Sequence, residues 1–393
     1  MLASPPPPRP NTSGLIFAAT SWGLFWGGWA GLLPEVKDQI GATDSEFGLA
    51  LFGVPFGALP AMVITGKLVS RLRERALPLV LLAFAVACAL PGWTYSPVTF
   101  AASLVLVGAT SGAIEVALNA TTAAHEARDG VRLFNKVHAA TPLAMVVAAP
   151  SVGLARQFGA SSRAVLLVIA ALVLVSAYLA VDRSGWRSQP STSDSATRVR
   201  VMTPLLVSFG LVAAIVLFME NAVEQWGAIH LEQNLGAGPL LGSTAPAAYM
   251  IGLAGGRMLA QWQGERFSGL TVVVFGSVLG AAGLLLAVIT EPVGLPAAFA
   301  LAGFALAGVG LAPAVPTLLG MAGKSTDDEG RPAAITTVTT ISYLGFLGSP
   351  PLVGLMAAGW GLSTAFAVIA VGGVLVAVAT ALLRVPKPEG VAG

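Results

Sequence analysis

The stretch DRSGWRSQPSTSDSATRVR, residues Asp182 to Arg200, is the longest polar interruption of this chain and lies close to its middle. The chain of 393 residues is 55% hydrophobic and only 10% charged, whereas a soluble protein of this size carries about 25% charged residues. Its mean hydropathy is +0.80. We therefore predict an integral membrane protein in which this stretch is a flexible linker between two apolar halves.

Apolar runs lie on both sides of the linker, and each is about 20 residues long, which is the length of a helix that crosses about 30 Å of hydrocarbon. The runs cover approximately residues 14–34, 46–66, 76–95, 98–122, 133–155, 163–182, 203–229, 240–262, 269–290, 293–321, 332–357 and 362–384. Each is predicted to be a helix, because lipid offers no partner to unpaired backbone groups and no run alternates like a barrel strand.

These runs predict an all-α membrane protein with twelve transmembrane helices in two pseudo-symmetric six-helix bundles. The predicted segments are a disordered cytoplasmic tail (1–13), a first bundle (14–182), a cytoplasmic linker (183–202), a second bundle (203–384) and a cytoplasmic C-terminal tail (385–393).

Basic residues predict the orientation, since cytoplasmic loops carry an excess of Lys and Arg. With both termini in the cytoplasm, 18 of the 21 Lys and Arg lie on the cytoplasmic side; the exceptions are Lys37, Arg156 and Arg163. Abundant Ala and Gly, with more Arg than Lys, are typical of a GC-rich bacterial genome. We therefore predict a multi-pass protein of the bacterial inner membrane with both termini cytoplasmic.

The two halves repeat each other in sequence. WAGLLPEVKDQIGA (Trp29 to Ala42) closes the first span, and WGAIHLEQNLGA (Trp226 to Ala237) closes the seventh. GKLVSRLRER (Gly66 to Arg75) follows the second span, and GRMLAQWQGER (Gly256 to Arg266) follows the eighth. Duplicated six-helix halves are typical of secondary transporters, which bind solute near the midplane between the halves.

The basic segments after spans 2 and 8 resemble the signature loop of the major facilitator superfamily, although Ser70 and Gln261 stand where that loop has Asp. This resemblance implies a gating role for the loop residues Gly66, Arg71, Arg75, Gly256 and Arg257. The segment HAATPLAMVVAAPSVG in span 5 lacks the glycine-rich motif of the superfamily's antiporters, which argues against drug export.

Other segments resemble the YbjJ-type, fucose-permease-like bacterial subgroup of that superfamily. The segment EVALNA (Glu115 to Ala120) resembles its Asp-x-x-x-Asn element, with Glu in place of Asp, and NKVHA keeps its His as His138. ENAVEQWGAIHL resembles the acidic end of its span 7, and GVGLAPAVPTLLG and YLGFLGSPPLVG resemble its spans 10 and 11. The resemblance implies solute transport without identifying the solute.

Glu115, Asn119 and His138 are predicted to form one polar patch on spans 4 and 5. At 1.5 Å per residue, Glu115 lies about 15 Å from the inner end of span 4, Asn119 one turn lower, and His138 about 9 Å up span 5. A carboxyl group at that depth favours its protonated form, and an imidazole titrates near neutrality. We predict that these residues couple transport to protons; the alternative is a structural tie that never titrates.

Glu220, Asn221 and Glu224 lie in the outer part of span 7. Glu220 and Glu224 are one turn apart, about 25 Å and 31 Å from the inner end, and two partly desolvated carboxylates cannot both ionise cheaply. We predict that they face an outer vestibule and bind a polyhydroxylated or cationic solute, or tie an outer gate. The alternative for Glu224 is a position at the water interface, with Trp226 as an anchor.

Aromatic residues add further candidates. Trp22 and Trp26, with Trp29, form one stripe of span 1, and Tyr343 lies on span 11 after a run of hydroxyl residues. We predict that Trp22, Trp26 and Tyr343 contact the solute; packing or lipid contact is the alternative for such stripes. The glycines between the tryptophans permit close helix packing.

No Walker-type phosphate loop, metal-ligand spacing, hydrolase motif or nucleic-acid surface occurs in the sequence. We therefore predict a non-enzymatic, monomeric protein without cofactor or metal. Its expected partners are a small solute, protons and membrane lipid, but not nucleic acid. The predicted function is secondary active transport of a small polar solute by alternating access, with a sugar-like solute as one candidate. A drug or metabolite exporter and a non-transporting membrane sensor remain alternatives.

Overall fold

The computed structural model describes residues 12–182, 202–264, 266–327 and 329–383, and no β-strand occurs among them. The helices are α1 (Thr12–Ile40), α2 (Asp44–Leu51), α3 (Gly53–Leu72), α4 (Ala76–Ala89), α5 (Pro97–Asp129), α6 (Phe134–Gln157), α7 (Ser162–Leu179), α8 (Pro204–Ile229), α9 (Pro239–Gln263), α10 (Gly269–Val293), α11 (Ala298–Leu311), α12 (Ala314–Lys324), α13 (Arg331–Trp360) and α14 (Leu362–Leu382). Except for residues 12, 13 and 202, the predicted tails (1–13 and 385–393) and linker (183–202) lie outside the described residues.

Every predicted span coincides with one or two of these helices. In the part of the chain that the structure describes, nine helical segments are long and apolar enough to cross a membrane. One of these segments, Asp44–Trp93, has 50 residues and covers the predicted span 46–66 and most of the predicted span 76–95. Helices α1 and α9 are not among the nine, because their glycine, tryptophan and proline content lowers the mean hydropathy. The predicted all-α membrane fold is confirmed.

The chain forms two compact units. The first unit is Met1–Ser195 with Gly236–Ala247, and the second is Ala196–Leu235 with Ala248–Gly393. In the first unit, α1 packs along α6 and α4 along α7; in the second, α8 packs along α13 and α10 along α14. Counted as spans, these pairs are 1 with 5, 3 with 6, 7 with 11 and 9 with 12. The same pairing therefore recurs in both units, as a duplicated six-helix plan requires.

In each unit, two helices come into backbone contact at a glycine, with no side chain between them. A Cβ on Gly57 of α3 would lie 2.0 Å from the Val105 carbonyl oxygen of α5. A similar contact in the second unit is at Gly252 of α9, where a Cβ would lie 2.0 Å from the Ala305 carbonyl oxygen of α11. Such distances exclude any side chain, so glycine fixes the separation of spans 2 and 4 and of spans 8 and 10.

Helix α5 carries Glu115, and its ends are set by local sequence. The Ser96 hydroxyl accepts a hydrogen bond from the Thr99 amide at 3.3 Å, and Pro97 occupies the first turn, where a missing N–H costs nothing. The helix ends at Gly130, whose φ of 67° is the left-handed conformation that glycine adopts readily. The helix has 33 residues, whereas about 20 are enough to cross the hydrocarbon core, so α5 continues into the polar region.

The prediction that the basic segments after spans 2 and 8 are loops is wrong for most of their residues. Gly66 and Arg71 lie inside α3, and Gly256 and Arg257 lie inside α9. Only Arg75 follows its helix, in a 3-10 turn at Arg73–Arg75. The helices continue because Lys and Arg carry long apolar stems and can follow a helix out of the apolar layer without breaking it. The predicted gating role of these residues stays a prediction.

Candidate functional site

Glu115 and His138 lie close together in the first unit, on helices α5 and α6. Glu115 is half-buried, and His138 is exposed with its ring stacked on Phe134 at a centroid distance of 5.6 Å. The Glu115 carboxylate and the His138 imidazole are near enough for their charges to interact. Asn119 is half-buried one turn further along α5. The structure therefore brings Glu115 and His138 together, while their role in proton coupling stays a prediction.

The two predicted tryptophans of α1 meet the same helix α5 through one hydroxyl group. The indole Nε1 of Trp22 donates a hydrogen bond to the Ser111 Oγ at 2.8 Å, and the Nε1 of Trp26 donates to the same oxygen at 3.2 Å. Trp29, by contrast, is buried and stacks on Phe100 at 5.8 Å. Trp22 and Trp26 thus border the Glu115 region, and Trp29 belongs to the core.

A second charged cluster lies within the second unit, on α8 and α9. The Glu220 and Glu224 carboxylates are near enough to repel each other, and the Arg257 guanidinium is near enough to Glu220 for their charges to attract. Tyr249 is fully buried beside these three groups. Arg257, predicted from the sequence as a loop residue, therefore lies inside α9 and brings a positive charge near Glu220.

The other predicted residues of the second unit differ in their surroundings. Asn221 is buried, and its Oδ1 has no hydrogen-bond partner in the described part of the chain. The hydroxyl of Tyr249 also has no hydrogen-bond partner among the described residues. Tyr343 on α13 is 45% exposed, and its ring meets Phe346 edge-on at 6.4 Å. The structure places Tyr343 at a surface of α13, and its contact with solute stays a prediction.

Two residues of these clusters were missed from the sequence, Ser111 and Tyr249. Ser111 stands four residues before Glu115, and this spacing places both on one face of α5. Tyr249 stands eight residues before Arg257, about two turns away on α9. Either spacing can be read from the sequence, but serine and tyrosine are common in transmembrane helices, so the spacing alone does not select them.

A hydrogen-bonded network in the first unit centres on Arg156 of α6. Its Nε donates to the Glu35 carboxylate at 2.9 Å, and its Nη1 donates to the Gly31 carbonyl at 2.8 Å and to the Ser243 hydroxyl at 3.2 Å. Ser243 in turn donates to the same Gly31 carbonyl at 2.9 Å. Arg156 therefore ties the first turns of α9 to α1 and α6.

Two further features limit what the arrangement can bind. A cavity of about 360 Å³ lies between α9, α10 and α11, and Gly256 is one of its lining residues. The lining is mainly apolar and includes none of the carboxylates. Its walls include Leu259, Phe267, Phe275, Leu279 and Pro313. Within the described residues, no group of three or more His, Cys, Asp or Glu side chains is arranged to hold a metal ion. The clusters on α5–α6 and α8–α9 are thus the polar candidates for solute contact.

The sequence profile of the Major Facilitator Superfamily matches residues 13–226 and 209–392, which together are nearly the whole chain. The chain belongs to the major facilitator superfamily. It is therefore a multi-pass membrane transporter rather than an enzyme, and its cargo is a small molecule.

Relatives of this superfamily member extend over most of its length. It is 29% identical over 355 residues to an uncharacterized MFS-type transporter of Yersinia pestis, covering 88% of this chain and 89% of the relative. It is 25% identical over 375 residues to the membrane protein MosC of Rhizobium meliloti, covering 93% and 89% of the two chains.

Solved structures show the same fold. A bacterial homolog of the human lysosomal transporter Spinster, in an inward-facing and occupied conformation, aligns with a TM-score of 0.79 at 14% identity, covering 97% of each chain. The nucleoside transporter NupG aligns with a TM-score of 0.78 at 12% identity, covering 94% of this superfamily member and 98% of NupG. At such low identity these likenesses show the fold alone.

Proposed function

We propose that this protein is a secondary active transporter that moves a small polar organic solute across the inner membrane by alternating access, coupled to protons. We further propose that it belongs to the YbjJ-type, fucose-permease-like subgroup of the superfamily. The observation that carries the proposal is the juxtaposition of Glu115 and His138, a carboxylate and an imidazole on neighbouring helices within the predicted membrane depth.

The chemistry of this pair supports proton coupling. A carboxylate inside a membrane is costly when it is charged, and binding a proton removes that cost. The His138 ring stacks on Phe134 with 12° between the two ring planes, and imidazole nitrogens can both donate and accept hydrogen bonds. In the proposed cycle, Glu115 holds the proton in one conformation and releases it in the other, with His138 as its partner.

The cluster on α8 and α9 supports a polar rather than an apolar solute. Glu220 and Glu224 offer carboxylate oxygens that accept hydrogen bonds from hydroxyl or ammonium groups, and Arg257 offers donors in a fixed fork. The buried Tyr249 hydroxyl and Asn221 Oδ1 add polar atoms without partners among the described residues. A solute with several hydroxyl groups, such as a sugar or polyol, matches this mixture of donors and acceptors.

A thermal-shift screen of the purified protein tests this proposal. The panel contains sugars, polyols, vitamins, antibiotics and, because NupG is a structural neighbour, nucleosides, each measured at two pH values. We expect a polyhydroxylated compound to raise the unfolding temperature by an amount that depends on pH, because a ligand that binds only the folded state stabilises it.

Two variants and two alternative results make the screen decisive. Glu220→Gln is expected to weaken the shift at both pH values, and Glu115→Gln to remove its pH dependence. Stabilisation by hydrophobic drugs alone would favour an exporter. A hit that both variants bind with the wild-type affinity and pH dependence would refute the proposed site.

A further inference from the structure

We propose that Ser111 is a positioning residue that holds the Trp22 and Trp26 indoles together as one aromatic wall of the solute site beside Glu115. The inference rests on the proposed function, because it assumes that the region around Glu115 is where solute binds. Ser111 acts through the tryptophans and touches no solute itself.

The first observation is the shared acceptor. The Ser111 Oγ accepts the Trp22 indole N–H at 2.8 Å and the Trp26 indole N–H at 3.2 Å. A hydroxyl oxygen has two acceptor lone pairs, and here both are used by indoles. Ser111 is only 5% exposed, so water does not replace either bond readily. One buried oxygen therefore fixes the rotation of two large rings.

The second observation is that α1 itself is held in place behind the rings. A Cβ on Gly23 would lie 2.3 Å from the Thr141 carbonyl oxygen of α6, and a Cβ on Gly27 would lie 2.4 Å from that of Met145. The backbone next to Trp22 and Trp26 is therefore in direct contact with α6. With that backbone fixed, the orientation of the two rings depends on the groups that meet their N–H atoms.

The third observation is the position of Ser111 on α5. Ser111 and Glu115 are four residues apart, so they lie on the same face of the helix one turn from each other. Trp22 and Trp26 are half-buried, and each keeps part of its surface uncovered by protein. The hydroxyl thus places two partly uncovered aromatic rings next to the carboxylate that the proposed mechanism uses. A ring-shaped solute with an apolar face and a polar edge fits such a pair of surfaces.

Three variants separate this role from a purely structural one. Ser111→Ala removes the shared acceptor, and Ser111→Thr keeps a hydroxyl group at the same place. Ser103→Ala is the matched control, because Ser103 lies on the same helix, is equally buried at 5% exposure, and donates only to the Phe100 carbonyl of its own helix.

The readout is ¹⁹F NMR of the full-length protein labelled with fluorotryptophan, which contains eight tryptophans. Trp22→Phe and Trp26→Phe assign the two resonances concerned. We expect Ser111→Ala to shift and broaden both resonances and leave the others in place. The Thr variant should restore both resonances, and Ser103→Ala should leave all of them as in the wild type. Unchanged Trp22 and Trp26 resonances in Ser111→Ala would overturn the proposal.

A second measurement links the ring positions to solute. In proteoliposomes with the solute found by the screen, Ser111→Ala is expected to raise KM about tenfold with Vmax nearly unchanged, the size expected for losing one well-oriented aromatic contact. Equal losses in Ser111→Ala and Ser103→Ala, or an unchanged KM, would overturn the proposal. Failure of the proposed function gives a different pattern. The Trp22 and Trp26 resonances would still shift in Ser111→Ala, but adding solute would not change them in the wild type.

Discussion

Ser111, Glu115 and Asn119 occupy successive turns of α5, so one face of this helix carries three polar groups. The sequence predicted Glu115 and Asn119 because charged and amide groups are rare in apolar runs. It could not predict Ser111, because the role of that hydroxyl comes from tryptophans 85 and 89 residues away in the chain. Chemistry that depends on a distant helix is visible only after folding.

Arg257 was predicted from the sequence, but in the wrong kind of element. Its basic neighbours favoured a loop, but it lies inside α9 and opposes Glu220 in charge. We predict that Arg257→Gln weakens solute binding about tenfold or more, because Glu220 then lacks the positive charge near it. Binding is measured by the ligand-induced thermal shift.

Arg266→Gln is the control for that change, since Arg266 is exposed near the end of the same helix and its guanidinium lies over the Trp262 ring at 5.6 Å. It should bind solute as the wild type does. If both arginine variants bound solute equally well, Arg257 would have no part in the site.

Arg156 is a second residue whose loss should be costly. Its side chain is 6% exposed and donates to Glu35, to a backbone carbonyl and to Ser243. We expect Arg156→Gln to lower the free energy of unfolding by about 2–3 kcal/mol, because Glu35 and the carbonyl lose a charged hydrogen-bond donor. Denaturant titration in mixed micelles measures this change.

The matched arginine is Arg163, whose guanidinium lies 3.9 Å from the Trp93 ring centroid and donates a hydrogen bond to the Tyr95 hydroxyl. Arg163→Gln should cost about 1 kcal/mol, because contacts of these two kinds are weak near a surface. Equal costs for the two variants would show that the Arg156 network stabilises the protein no more than the exposed contacts of Arg163 do.

The helices were the most predictable elements, because a run of about 20 apolar residues has few other stable forms in lipid. Their ends were less predictable. The structure extends α3 to Leu72 and α5 to Asp129, well beyond the apolar runs, since basic and polar side chains leave the apolar layer without unwinding the helix. Hydropathy locates the buried part of a helix rather than its end.

The close contact between α3 and α5 can be tested by adding a side chain at Gly57 of α3. Gly57→Ala is expected to destabilise the protein by about 1–3 kcal/mol or more, because a Cβ there would lie 2.0 Å from the Val105 carbonyl oxygen. The comparison is Gly66→Ala on the same helix, where, among the described residues, no atom of a neighbouring helix lies within 4 Å of the added Cβ.

Gly66→Ala should leave stability unchanged or raise it by up to about 1 kcal/mol, because alanine favours a helix interior over glycine. Both variants are compared by denaturant titration. A Gly57→Ala protein as stable as the wild type would mean that α3 and α5 are not packed as described.

The repeated plan of the molecule could be recognised from paired sequence segments, such as Trp29 to Ala42 and Trp226 to Ala237. The structure adds matching helix pairs and the similar close approaches at Gly57 and Gly252. The polar clusters do not repeat in the same way. The first unit carries a carboxylate beside an imidazole, and the second carries two carboxylates beside an arginine. We expect this asymmetry to confine proton coupling to the first unit.

Proton movement in proteoliposomes tests the proposed coupling most directly. Vesicles containing a pH-sensitive dye are given the solute identified by the screen, and internal pH and solute uptake are recorded together. The account predicts that the wild type and Glu74→Gln, a carboxylate variant in the turn after α3, move protons with solute, whereas Glu115→Gln binds solute but moves no protons. Solute-driven proton movement in Glu115→Gln at the wild-type rate would contradict the account.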